Sequence, residues 1–179
     1  MDGELILKST RKLALLSLMV SQALILSIIE SWIPVTAITL VPGIKLGLAN
    51  IITVIVIVFF GSKEAFLVVF VRCALASMFG GGLIVFLFSV TGGLLSTAVM
   101  VFLYKKASNV FSLTGVSVAG AVAHNLGQII IASFIMKTSA VLVNLPMLLI
   151  AAIVMGCFIG LCSNSLAGAL RKTNIFRNG

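Results

Sequence analysis

Long, nearly uncharged apolar stretches follow one another along almost the whole chain of 179 residues. A helix that crosses a bilayer needs roughly 20 consecutive, mostly apolar residues. Hydrophobic residues make up 61% of the chain and charged residues 9%, whereas soluble domains carry about 25% charged residues. The pattern predicts an all-α integral membrane protein, a bundle of six transmembrane helices that forms a single domain over residues 1–179. The predicted helices cover residues 13–32, 44–60, 65–79, 83–104, 116–136 and 147–170.

The basic residues predict the orientation of this bundle. Twelve Lys and Arg outnumber four Asp and Glu, and cytoplasmic loops of membrane proteins are enriched in Lys and Arg. One predicted side carries Lys8, Arg11, Lys12, Lys63, Lys105, Lys106, Arg171, Lys172 and Arg177. The other side carries Lys45 and Lys137, so we expect both termini in the cytoplasm and a multi-pass protein of the cell membrane. The basic face that nucleic-acid binding requires is missing, so no nucleic-acid partner is expected.

The first predicted helix carries small residues at helical spacing. Its apolar stretch is long enough to span a bilayer and no small-residue cleavage pattern follows it, so we interpret it as an uncleaved helix and not as a signal peptide. Ala14, Ser17 and Ser21 form a short ladder of small residues along it. Small residues let helices approach closely in lipid. Packing within the chain and docking onto another membrane protein both remain open.

The fifth predicted helix contains the densest group of polar residues in any span. His124 and Gln128 are four residues apart and Asn125 and Gln128 are three apart, so the three share a broad face. Their imidazole and amide groups offer donors and acceptors without fixed charge, which suits a polar small molecule. Polar groups at this depth are costly and usually face the interior or a cavity. A ligand-binding role is favoured over a structural hydrogen-bond network.

Arg72 is the costliest residue of the predicted spans. A central Arg costs about 2.5–3.5 kcal/mol on insertion scales, so a compensating group is expected. A structural pair with Glu30 and binding of an anion are equally open. Lys45 and Asn50, at the start of the second helix, are further candidates: Lys45 either extends to the interface or meets an acidic ligand.

The chain lacks the residues that common catalytic and metal sites need. It contains no GxxxxGK[ST] loop for a nucleotide, and Asp2 is its only aspartate, so no carboxylate cluster for magnesium can form. A catalytic histidine would have no carboxylate partner. The three cysteines show no metal-ligand spacing. We therefore expect no enzymatic activity of its own, no cofactor and no metal site.

Three segments carry a resemblance to a known family. The segment 42–51, PGIKLGLANI, together with the glycines Gly80–Gly82 and Gly92–Gly93 and the segment 124–128, HNLGQ, resembles the Gx transporter family, also called heptaprenyl diphosphate synthase component I. The similarity extends over about residues 13–170. That family in turn resembles the substrate-binding S components of energy-coupling factor (ECF) transporters.

The resemblance implies a function. S components have six helices with both termini inside, bind a vitamin or similar nutrient from the outer side, and partner a transmembrane coupling protein and two ATPases. The resemblance also implies that the coupling protein docks on helix 1, at Ala14, Ser17 and Ser21. His124, Asn125, Gln128, Lys45, Asn50 and Arg72 are then the candidate substrate-binding residues. The alternative function is a membrane accessory subunit of a prenyl diphosphate or quinone-pathway enzyme.

Overall fold

The computed structural model describes residues 2–33, 45–107 and 109–173. Within these ranges the chain is helical and contains no strand. Its six α-helices are α1 Asp2–Ser31, α2 Asn50–Phe59, α3 Ser62–Ala76, α4 Gly82–Lys106, α5 Leu113–Met136 and α6 Leu145–Lys172. A π-helical turn, Ser77–Gly81, joins α3 to α4, and a 3₁₀ helix, Ser139–Asn144, precedes α6.

Four segments of the described chain are long and apolar enough to cross a membrane: Ser9–Ser31, Gly82–Lys106, Leu113–Met136 and Ser139–Lys172. The prediction of a multi-pass helical membrane protein is therefore confirmed. Helix α2 is apolar but only 10 residues long. A count of six membrane crossings, and the side on which the termini lie, stay predictions.

Two predicted helix starts differ from the structure by six or more residues, and the other predicted boundaries differ by at most three. The second helix begins at Asn50 and not at 44, because residues 45–49 are not helical and Gly47 has a φ of +88°. The first helix begins at Asp2 and not at 13, because the polar residues before position 13 are compatible with a helix although they interrupt the apolar pattern. The predicted connection over residues 34–42 lies outside the described residues.

Helix α2 is the most deeply buried element. Six consecutive side chains, residues 52–57, are buried, and all of them except Thr53 are aliphatic. A helix that is apolar all round belongs in the core of a bundle. It packs against α1, α3 and α6 and also contacts α4 and α5, so its first residue, Asn50, is held in the interior.

Helix α5 lies between α4 and α6, and glycines bring these three helices close together. A Cβ at Gly160 would lie 2.5 Å from the Thr114 Cα, and one at Gly156 would lie 2.5 Å from the Val118 Cα. In lipid, such close backbone contacts are a main source of helix association. The small residues of α6 therefore pack within the chain.

The two ends of the bundle differ in charge. Lys12 Nζ lies 2.5 Å from Glu64 Oε1, and Lys105 Nζ donates to Ser62 Oγ at 2.8 Å, so the start of α1, the start of α3 and the end of α4 meet. The hydrogen bond from Lys12 lowers the pKa of the Glu64 carboxyl. We call this the basic end. It also holds the end of α6, where Arg171 lines a cavity of about 280 Å³ together with Tyr104 of α4.

Candidate ligand-binding site

Five buried polar side chains from four helices lie several helical turns from the basic end. We call them the polar cluster: Glu30 of α1 (2% exposed), Asn50 of α2 (1%), Arg72 of α3 (3%), and His124 (2%) and Gln128 (0%) of α5. Burying a polar group costs free energy unless a hydrogen bond compensates it. Each of the five has at least one buried polar atom without a hydrogen bond in the described structure.

Gly47 joins three members of the cluster. Its N–H donates to the Glu30 carboxylate, which turns the chain into α2. A Cβ at this position would lie 2.8 Å from Asn50 Nδ2 and 3.5 Å from His124 Cδ2. Because φ is +88°, a glycine is favoured here, and its missing side chain lets the amide and the imidazole come close to the turn.

Arg72 is held at one edge only. Its Nη1 donates to Ser27 Oγ of α1 at 2.9 Å. Its Nε and Nη2 make no hydrogen bond in the described structure. Nη2 lies 3.3 Å from the place that a Cβ of Gly93 would occupy, so α4 passes close to the guanidinium. Arg72 therefore does not form the hydrogen-bonded pair with Glu30 that the sequence left open, although the two charges interact at longer range.

The Gly92–Gly93 pair lies inside α4 and opens room for α5. A Cβ at Gly92 would lie 2.9 Å from the His124 carbonyl oxygen, 3.0 Å from Gln128 Cγ and 3.1 Å from His124 Cε1. The His124 ring thus lies against the α4 backbone. Neither of its ring nitrogens has a hydrogen bond of good geometry among the described residues.

Lys45 and Gln128 connect the chain before α2 to α5. The Lys45 N–H donates to Gln128 Oε1 at 3.3 Å, while Gln128 Nε2 has no hydrogen bond in the described structure. The Lys45 side chain is partly buried, and its charge acts on Glu30 together with that of Arg72. The structure therefore brings Lys45, Asn50, Arg72, His124 and Gln128 into one region.

Asn125 has a different place. Its Nδ2 donates to the Leu148 carbonyl of α6 at 2.8 Å, and this bond ties α5 to α6. Neighbouring helical residues point about 100° apart, so Asn125 turns towards α6 while His124 faces α4. Its Oδ1 alone remains without a hydrogen bond in the described structure.

The predicted docking residues lie on an exposed face of α1. Ala14, Ser17 and Ser21 are exposed, and the Ser17 and Ser21 hydroxyls donate at 3.0 Å to the Leu13 and Ser17 carbonyls. These hydroxyls are satisfied within the helix, so the face is compatible with lipid or with another helix. Whether a partner binds there stays a prediction.

The sequence interpretation missed three features of the site. It did not identify the role of Gly47, which contacts three members of the cluster, or of Ser27, the partner of Arg72. It also did not identify Gly92–Gly93 as the part of α4 against which His124 packs. A glycine pair inside an apolar helix is the available signal, since such a pair permits close approach of another helix. No group of three His, Cys, Asp or Glu residues that could hold a metal occurs in the described ranges.

These features define a multi-pass helical membrane protein with a buried polar site enclosed by α1 to α5. A family model described as heptaprenyl diphosphate synthase component I matches residues 19–166. This is most of the chain, so the protein belongs to that family, as its sequence motifs predicted. The comparisons with curated proteins and with solved structures gave no match.

Proposed function

We propose that this protein is the substrate-binding membrane subunit of an ATP-driven importer of the ECF type, which captures a small polar molecule from the outer side. The observation that carries the proposal is the polar cluster, whose five buried side chains keep polar atoms without hydrogen bonds among the described residues. A purely structural network would satisfy its members internally, because half-satisfied buried networks are costly. A polar ligand would supply the missing partners.

The position of the cluster supports uptake from outside. If the basic end faces the cytoplasm, as the positive-inside rule predicts, the segment 45–49 lies towards the outer side. The cluster is then approached past this segment. Binding sites of transporters commonly lie within the membrane between helices, where irregular backbone lines a cavity.

The energy for transport would come from other subunits. The chain has no nucleotide-binding loop, so ATP hydrolysis falls to partner proteins. The exposed small residues Ala14, Ser17 and Ser21 offer α1 a surface for a transmembrane coupling protein. The protein itself would bind and release its ligand without changing it.

The family description favours a second candidate function, a membrane accessory subunit of a prenyl diphosphate synthase. Prenyl diphosphate chemistry uses aspartates to hold magnesium, and this chain has none after Asp2. The catalytic carboxylates would then belong to a soluble partner at the basic end. A buried polar cluster far from that end has no evident role in such a subunit.

Purification of the tagged protein from its own host in mild detergent, followed by mass spectrometry of its partners, tests the proposal. We expect two ATPases and a coupling membrane protein to co-purify. Recovery of a soluble prenyl synthase subunit without ATPases would contradict the importer and support the accessory role.

A further inference from the structure

The unused edge of Arg72 bears on the chemistry of the ligand. Guanidinium Nε and Nη2 present their N–H groups side by side, a fork that matches the two oxygens of a carboxylate or phosphate. In this protein Nη1 is occupied by Ser27 Oγ, while the Nε–Nη2 edge has no hydrogen bond in the described structure. The fork that binds oxyanions is the part of Arg72 left available.

The charges around Arg72 do not cancel. Arg72 and Lys45 are formally cationic and Glu30 is formally anionic, so the three formal charges sum to +1. Glu30 already accepts the Gly47 N–H, and its carboxylate makes no hydrogen bond to Arg72. A buried cation without a partner is costly. One further negative charge would balance the group.

The remaining members of the cluster are neutral. Asn50 has both amide atoms unpaired in the described structure, Gln128 has its Nε2 unpaired, and His124 has both ring nitrogens unpaired. Together they offer donors and acceptors beside the charged groups. They suit a ligand that carries uncharged hydrogen-bonding groups in addition to its charge.

We infer that the ligand is a small organic oxyanion, which the Nε–Nη2 edge of Arg72 binds in bidentate fashion while Asn50, His124 and Gln128 bind its neutral polar part. This inference rests on the proposed function, since it names the ligand class of that same site. Carboxylate and phosphate share the required geometry, and the experiment separates them.

The test is thermal unfolding of the purified full-length protein in detergent at constant ionic strength. The probes are benzoate, inorganic phosphate and neutral benzamide. We expect benzoate or phosphate, at saturation, to raise the Tm by about 2–4 °C, and benzamide to leave it unchanged. A shift with benzoate alone assigns a carboxylate, and a shift with phosphate alone assigns a phosphate.

Two variants distinguish bidentate binding by the guanidinium fork from simple attraction to a positive charge. Arg72→Lys keeps the positive charge and loses the fork, so it should lose the oxyanion shift. Ser117→Ala removes a hydroxyl that bonds only to the Leu113 carbonyl within α5, so it should keep the shift. An equal response to benzamide, retention of the shift in Arg72→Lys, or no response to either anion would overturn the inference. The wild-type comparison of benzoate and benzamide decides even if Arg72→Lys does not fold.

Failure of this inference and failure of the proposed function give different results. Co-purification of ATPases together with a failed anion response would leave the importer standing with a neutral ligand. An anion response without ATPases would retain the oxyanion site and contradict the importer.

Discussion

Gly47 adopts a backbone conformation that most side chains avoid, directly beside Asn50 and His124. The turn is fixed by the Glu30 carboxylate, which accepts the Gly47 N–H inside the bundle. A carboxylate is therefore used to position backbone at a place where the sequence suggested a charge pair with Arg72. At this position a single missing Cβ controls both the fold of residues 45–49 and the space near the imidazole.

Replacing Gly47 by Ala should lower the free energy of unfolding by about 1–3 kcal/mol, through strain at positive φ and through contact with Asn50. Thermal or denaturant unfolding in detergent measures the change. In an Asn50→Ala background the contact is gone, so Gly47→Ala should cost less there. Equal costs in the two backgrounds would show that the contact contributes nothing.

His124→Ala should weaken ligand binding about tenfold while the fold persists. A lost buried hydrogen bond to a ligand is worth roughly 1–2 kcal/mol, and without a ligand neither ring nitrogen has a hydrogen bond of good geometry in the described structure. The midpoint of a titration with 4-hydroxybenzoate, which adds a neutral hydroxyl to the carboxylate, and the Tm without probe measure the two effects. A Tm that falls in parallel with affinity would support a structural role.

At the scale of the elements, close contact between α5 and α6 depends on glycines. Gly156 and Gly160 face the backbone at Val118 and Thr114, while Gly168, farther along α6, has open space around it. The glycines of α6 therefore include two packed positions, Gly156 and Gly160, and one unpacked position, Gly168. This difference provides a matched pair of substitutions on one helix.

Gly160→Ala should reduce the free energy of unfolding by about 1–3 kcal/mol, because its new methyl group would overlap Thr114. Gly168→Ala should be neutral or stabilising by up to about 1 kcal/mol, since alanine favours the helix and meets no neighbour. Unfolding of both variants in one detergent tests the contrast. Similar losses at the two sites would contradict the packing described for α6.

Ser21→Leu should abolish co-purification of the coupling protein without changing the Tm of the isolated chain. Ser21 is exposed on α1 and its hydroxyl bonds only within the helix, so a larger apolar side chain fits against lipid but blocks a close helix contact. Ser165→Leu, at an exposed position of α6, is the control and should retain the partner. If the coupling protein still co-purifies with Ser21→Leu, this face of α1 is not the docking surface.

The sequence predicted which polar residues are buried in the bundle more successfully than it predicted which helix each of them contacts. His124, Gln128, Arg72 and Asn50 stood out because polar groups inside apolar helices are costly, and they do lie together. Asn125 was grouped with His124 on spacing, yet it bonds to α6. Which neighbour a helix face contacts depends on the rotation of the helices about their axes. The glycine contacts that set this rotation do not recur at a regular spacing in the sequence. Their role in binding remains a proposal.

At the scale of the whole molecule, charge separates the two ends of the bundle, and this leads to a prediction of orientation. Lys63, in the first turn of α3, and Ser139, at the start of the 3₁₀ helix, are exposed at opposite ends of the bundle. In a chain with Cys157 and Cys162 replaced by Ala, Ser139→Cys should react with a membrane-impermeant maleimide in intact spheroplasts. Lys63→Cys should react only after permeabilisation. The reverse pattern would place the basic end outside and contradict uptake by this route.

The short length of α2 sets how far a captured molecule would travel before any partner acts. Ten residues rise about 15 Å, roughly half of a hydrocarbon core about 30 Å thick. Asn50, at one end of this helix, is therefore separated from the basic end by only half the barrier. Under the proposed function, capture would bring the ligand through the outer half of the membrane. The ATP-driven partner would then have to open a path only through the inner half.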